Sequence, residues 1–157
     1  MALGRVAGLE IRAVTAEAVR PLRHRVLRAD MALESVRTES DDRPATVHLA
    51  AFDGDEIVGV MTVFADPSPL GDSTAQRIRW MAVDPARQRG AIGTALLEAG
   101  LAIARKRRAV SVWADARDTA LGFYERHGFR PSGPSFIDPE TGLAHTPVVL
   151  DLIGDRA

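Results

Sequence analysis

Val83-Asp84-Pro85-Ala86-Arg87-Gln88-Arg89-Gly90-Ala91-Ile92-Gly93-Thr94 joins an alternating, strand-like run to a long segment with an apolar helical stripe. Small residues at 90, 91 and 93 let the backbone approach a ligand closely. A helix starting here turns its first N–H groups and the positive end of its dipole toward the loop, which suits a pyrophosphate. Arg87 and Arg89 add charge-assisted contacts. Read alone, the stretch fits equally well a glycine-containing turn that merely starts a helix, because short glycine motifs recur by chance.

Working outward, Ala75 to Val83 reads as the strand that feeds the loop, ended by Asp84-Pro85. Ile92, Ala95, Leu96, Ala99, Ala102 and Ile103 mark one face of the helix that leaves it, with Arg105 to Arg108 at its C-terminal end. Upstream, Thr46–Phe52 and Ile57–Phe64 form a hairpin about Asp53-Gly54-Asp55-Glu56, because an Asp-Gly turn matches the twist of paired strands. Leu9 to Val14 alternates as a first strand. Thr15 then caps a helix to about Asp30, with a break or kink expected near Arg20 because Pro21 lacks an N–H. Met31 to Pro44 is polar and acidic and reads as a mobile loop, and Asp66 to Asp72 as a second loop. Downstream come a short strand at Val110–Trp113, a helix from Thr119 to His127 stopped by Gly128, and strand-like pieces at Phe129–Ile137 and Thr146–Leu152. The order is β-α-β-β-β-α-β-α-β-β, a mixed sheet with helices packed on it.

A second stretch sharpens the first. Asp115-Ala116-Arg117-Asp118-Thr119-Ala120-Leu121-Gly122-Phe123-Tyr124-Glu125-Arg126-His127-Gly128-Phe129 follows the Val110–Trp113 strand. Together the two resemble the GNAT superfamily of N-acetyltransferases. Gln88 through Gly93 matches its pyrophosphate loop, (Gln/Arg)-x-x-(Gly/Ala)-x-(Gly/Ala). Ala120, Phe123, Tyr124, Gly128 and Phe129 match its A-x-x-F-Y-x-x-x-G-F element. The likeness is strong from about Arg77 to Arg130 and consistent in element order over nearly the whole chain.

The resemblance implies an α/β (α+β) fold with a mixed, mostly antiparallel central sheet flanked by helices, and acetyl-CoA as cosubstrate. It implies that Gln88, Arg89, Gly90, Ala91, Ile92, Gly93 and Thr94 hold the pyrophosphate. Backbone N–H groups of a bulged strand, here Met81, Ala82 and Val83, face the acyl carbonyl and pantetheine. Tyr124, the only tyrosine, is implied as general acid for the leaving thiolate. Two positions depart from the pattern. Ala91 stands where glycine is usual, and its methyl group clashes if the backbone needs φ > 0. Asp115 replaces a frequent Asn. Either change lowers the expected affinity for CoA.

The acceptor side is read from the residues more sparsely. An amine with a pKa near 10.4 is mostly protonated at neutral pH, so a base or water chain is expected. Glu34 and His145 are the candidates. Arg25, on a basic helix that also carries Arg23, His24 and Arg28, is a candidate for an anionic group of the substrate, against the plainer reading of an exposed face with local ion pairs. The four histidines lack metal-ligand spacing, and no metal is expected.

Composition bounds the rest. At 157 residues without repeats or low-complexity linkers, one domain over 1–157 is expected. No cysteine is present, which excludes disulfides, thiolate metal sites and a Cys-acyl intermediate. The net charge of −1 argues against a nucleic-acid or membrane partner, and the absence of a leader-like or membrane-length apolar run makes a cytoplasmic protein the default. The expected activity is acetyl transfer from acetyl-CoA to a primary amine by direct attack in a ternary complex, with a small molecule as acceptor. Two rivals stand beside it: a catalytically degenerate acyl-CoA-binding regulatory protein, and a nucleotide-binding module. The loop lacks the Lys-Ser/Thr ending of a P-loop, which weighs against the second. A homodimer is open, since Thr146–Leu152 can close the sheet or pair across a dimer.

Overall fold

A computed structural model of the chain describes residues 2–6, 8–87 and 91–152. The strands are β1 (Gly4–Val6), β2 (Leu9–Val14), β3 (Val47–Asp53), β4 (Glu56–Ala65), β5 (Gln76–Val83), β6 (Ser111–Arg117), β7 (Arg130–Pro131), β8 (Phe136–Ile137) and β9 (Ala144–Asp151). The helices are α1 (Ala16–Leu27), α2 (Ile92–Lys106) and α3 (Asp118–Arg126). Hydrogen bonding orders the sheet β1-β2-β3-β4-β5-β6-β9-β7, with β8 beside β9. The sheet is mixed and mostly antiparallel; β5 and β6 pair in parallel, through Gln76 with Val112 and Arg77 with Trp113. The chain divides into two compact units, Met1–Phe64 with Ile78–Ile103, and Ala65–Arg77 with Ala104–Ala157.

In the first unit the β3–β4 hairpin is the foundation. Its register sets Ala50 opposite Val60, and Leu49 opposite Met61. Successive residues point to opposite faces, so both faces of the hairpin need cover, and both are buried. Val19 and Leu22 of α1 pack on one face with Ala50, Val60 and Ala82. On the other face α2 lies close against glycine. A Cβ on Gly59 would come within 2.8 Å of Ile92 Cγ2, and one on Gly100 within 2.2 Å of Met61 Cε. These two glycines let the helix approach the sheet.

Thr15 caps α1 by accepting from the Ala18 N–H at 3.3 Å. The helix then runs through Pro21 without the break that is one of the two outcomes expected there. The cost is one helical bond to the Glu17 carbonyl, tolerated because Val19 and Leu22 seat the helix on the sheet. The segment expected to be a mobile loop after α1 holds two 3₁₀ turns, Leu33–Val36 and Glu39–Asp42. Val36, Ser40 and Asp41 within it are buried.

In the second unit β9 lies between β6 and β7 and so closes the sheet within the chain. β6 runs on to Arg117, beyond the apolar stretch that marks it in the sequence. The Phe129–Ile137 segment, interrupted by Pro131 and Pro134 as the sequence implies, forms two short strands. Among the described residues, no helix is long and apolar enough to cross a membrane.

Candidate active site

The end of β5 carries a backbone distortion. Trp80 has φ = 61°, in the left-handed region, which costs a non-glycine residue roughly 1–2 kcal/mol. Its indole is held on several sides. The guanidinium carbons of Arg23 and Arg28 each lie 4.8 Å from the ring centroid and that of Arg79 5.0 Å, while Nε1 donates to Thr38 Oγ1 at 3.4 Å. The distortion stands immediately before Met81, Ala82 and Val83. Ala82 is buried in the cluster under α1, and Met81 and Val83 are half-buried.

Beyond β5, Asp84 organises the turn. Its carbonyl accepts from Arg87 N–H at 2.8 Å, its Oδ1 from Ala86 N–H at 3.1 Å, and its own N–H donates to Val58 O at 2.9 Å. Arg87 pairs with Asp53 of the hairpin turn; that hydrogen bond raises its pKa, and both side chains remain open to solvent. Gln88, Arg89 and Gly90 lie outside the described residues. Ala91 is exposed with φ = 63°, and its carbonyl accepts from Ala95 N–H at 3.0 Å, starting α2. Ala91 therefore adopts the backbone that its methyl group disfavours. The Ile92 side chain is buried over Gly59, so this residue has only its backbone to offer a ligand. Gly93 and Thr94 are half-buried in the first turn.

A buried polar cluster under Trp80 escaped the sequence reading. Arg23, fully buried, donates to Asp41 Oδ2 at 2.8 Å and Oδ1 at 3.1 Å, to Val36 O at 2.9 Å and to Thr62 Oγ1 at 2.7 Å. His48 Nε2 lies 3.1 Å from the Asp41 carbonyl, which fixes the proton there; Nδ1 then accepts from Thr62 Oγ1 at 2.9 Å. Burial lowers the His48 pKa. Burial alone would raise that of Asp41, but the Arg23 guanidinium outweighs it and the carboxyl is held below its ordinary range. Two signals were available: an arginine four residues after Val19 on the apolar stripe, and His48 and Thr62 facing each other in strands otherwise apolar.

The acceptor candidates are more dispersed. Arg25 is 56% exposed and pairs with Asp84 at 3.5 Å, an ion pair on an open helix face. Glu34 is 82% exposed, with Arg37 at 3.8 Å. It lines a cleft of about 280 Å³ with Glu17, Arg20, Pro21, Leu33 and Arg37.

In the second unit, Tyr124 of α3 is buried, edge-on to Phe123 at 5.4 Å and Phe129 at 5.2 Å. Burial pushes its pKa up, so the phenol stays protonated and able to donate. No hydrogen bond engages its hydroxyl among the described residues. Asp115 is committed elsewhere. Arg77 lies 4.4 Å above the Trp113 ring and bridges Asp115 at 3.0 Å and Asp66 at 3.2 Å. His145 is buried and stacks on Phe136 at 5.8 Å. Its Nδ1 donates to Leu143 O at 3.0 Å, which leaves Nε2 as the basic nitrogen. Among the described residues, no group of three or more His, Asp or Glu could hold a metal ion.

Comparison with known proteins agrees with this architecture. A family model for the acetyltransferase (GNAT) domain matches residues 11–152. An uncharacterized N-acetyltransferase of Bacillus subtilis (strain 168), YitI, is 24% identical over 135 residues, 85% of this chain and 91% of that protein. Among solved structures, Escherichia coli ElaA superposes with a TM-score of 0.73 at 16% identity, covering 91% of this chain and 99% of its own. The NatC complex bound to Gag peptide and CoA contains a chain that superposes with a TM-score of 0.74 at 16% identity, covering 92% of this chain and 98% of that one. At such identities the structural likeness speaks to the fold.

Proposed function

The chain belongs to the GNAT family of acetyltransferases, and on that premise we propose that it moves an acetyl group from acetyl-CoA to the primary amine of a small molecule by direct attack. The observation that carries this reading is Tyr124: a buried phenol, held neutral, whose hydroxyl is not spent on another residue among those described. The CoA in the NatC structure, whose fold this chain shares, supports the donor.

The residues present fit that donor. The α2 N-terminus and the left-handed turn at Ala91 suit a pyrophosphate, with Ala91 to Thr94 as contacts; Gln88, Arg89 and Gly90, outside the described residues, are assigned to it by the sequence resemblance alone. Acetyl-CoA supplies an activated thioester. Backbone N–H groups of Met81 to Val83 stabilise the negative charge that develops on the carbonyl oxygen as the amine attacks. The new C–N bond forms, the C–S bond breaks, and Tyr124 Oη–H gives its proton to the departing sulfur. The attacking amine must surrender a proton, and His145 Nε2 is better prepared to take it than Glu34. The His145 tautomer is set by Leu143, whereas Glu34 is mostly in solvent. The open cleft of about 280 Å³ beside Glu34 is the candidate for the acceptor side.

Calorimetric titration with acetyl-CoA, with ATP and NAD as controls, tests the donor. Thiol release in an amine panel then tests the chemistry. Selective binding followed by amine-dependent release supports transfer. Binding without release favours the degenerate regulatory reading, and preference for ATP or NAD removes both.

A further inference from the structure

Trp80 is the residue that the mechanism above does not use and the structure treats most unusually. A left-handed φ of 61° is uncommon for any side chain except glycine and a small group of polar residues, and a bulky indole there needs compensation. The compensation is visible. Arg23 of α1 and Arg28 at its C-cap each place a guanidinium 4.8 Å from the ring centroid, and Nε1 donates to Thr38 Oγ1 at 3.4 Å. The holders are themselves held. Arg23 is anchored by both carboxylate oxygens of Asp41, Arg28 donates to Ser35 O at 2.6 Å, and Thr38 bonds Asp41 through its N–H at 3.3 Å and its hydroxyl at 3.2 Å. Every one of these groups comes from α1, from its C-cap or from the segment of 3₁₀ turns that follows it. That segment is thereby mechanically tied to the backbone of β5.

We infer that Trp80 is a positioning residue: its ring, clamped by Arg23, Arg28 and Thr38, holds the left-handed backbone that sets the direction of the N–H groups at Met81 to Val83. The inference rests on the proposed acetyl-CoA chemistry and deepens it. A backbone donor displaced by a fraction of an ångström no longer meets the carbonyl oxygen it serves, while contacts to the pyrophosphate, made by another segment, are unaffected. The clamp therefore acts more strongly on recognition of the acetyl group than on recognition of CoA, whose pantetheine meets the same strand. It also makes the order of the segment after α1 a condition for a competent strand.

The test titrates wild type, Trp80→Ala, Trp80→Gly, Trp80→Leu and Trp80→Phe with acetyl-CoA and with CoA, the second lacking the carbonyl. Trp80→Ala carries the same penalty for a left-handed φ but has no clamp to hold it, so the backbone relaxes; it should bind acetyl-CoA about tenfold more weakly and lose much less affinity for CoA. Trp80→Gly removes more packing yet accepts this φ without cost, and it should recover most of the loss. Recovery by glycine is the readout a merely structural role would not give, since lost packing makes glycine no better than alanine. Trp80→Leu keeps an apolar side chain without a π face and should behave as alanine does, whereas Trp80→Phe keeps the face without the bond to Thr38 and should recover most of the difference from wild type. The last pair decides the matter if the smaller variants do not fold. Equal losses for both ligands, or no recovery in glycine, would overturn the inference. If wild type binds neither ligand, the acetyl-CoA reading fails instead. The clamp is then read from amide hydrogen exchange at Met81 to Val83, which should quicken in the alanine variant and not in the glycine one; no difference between them overturns it.

Discussion

Ala91 holds φ at 63° in the turn that enters α2, where its methyl group crowds the backbone. Replacing it with glycine removes that crowding but raises the entropy of the unfolded chain, which opposes folding, the first effect being larger. Ala91→Gly should therefore raise stability by up to about 1 kcal/mol and tighten acetyl-CoA binding; a lowered melting temperature would mean the turn does not need this backbone. Tyr124→Phe asks the opposite kind of question. The hydroxyl holds no other described residue, so the variant should melt close to wild type while kcat falls by roughly 10²–10⁴. A stable variant with unchanged turnover would deny Tyr124 the acid role. Position 91 could be singled out from sequence because a non-glycine residue stood where glycine is usual. Trp80 could not, because no local pattern announces a left-handed tryptophan; only the cations gathered around its ring explain it.

Helix α2 owes its place to two glycines of different character. The Cβ of an alanine at 59 would come within 2.8 Å of Ile92 Cγ2 and 3.1 Å of Leu96 Cδ1. Ile92 is β-branched and opens the helix, so it cannot swing aside, and the N-terminus of α2 must lift from β4. Gly59→Ala should cost about 1–3 kcal/mol in denaturant unfolding and weaken acetyl-CoA binding with it. At Gly100 the group in the way is Met61 Cε, the far end of a flexible chain, and alanine is the better helix former by nearly 1 kcal/mol. Gly100→Ala should be close to neutral; a pattern with the two costs exchanged would show that α2 is seated otherwise. At this scale much was legible in the sequence. Period-2 and period-3.6 patterns and the Asp-Gly turn mark β2 to β5 and α2, and the stop at Gly128 marks α3. The segment after α1 was misread because its acids look solvent-directed, whereas Asp41 is paired 18 residues away with Arg23, a contact periodicity cannot express. Strands β1, β7 and β8 are two or three residues long, too short to carry a period.

Across the whole molecule, basic and acidic residues nearly balance, 20 against 21, so the response to pH is governed by the few groups buried at folding. His48 and Asp41 are such groups, and neither stood out in the sequence because their environment is made by elements distant along the chain. Burial lowers His48 from its ordinary 6.5. Below that pH the unfolded chain takes up a proton at this ring and the folded protein does not, so stability falls as pH falls. Asp41 is lowered from 3.8 by Arg23 acting against burial, so its contribution is complete above 3.8 and is lost as pH drops further. Both slopes have the same sign, and acid weakens the protein in two stages. The melting temperature should decline from pH 7 to pH 5 and then more steeply below pH 4. In His48→Gln, an amide N–H can still reach the Asp41 carbonyl but nothing titrates there. The first stage should flatten while the second remains. If the glutamine variant keeps the full decline between pH 7 and 5, the cluster under Trp80 is not what the protein loses first in acid, and the segment after α1 is held by something other than the Arg23, Asp41 and His48 network.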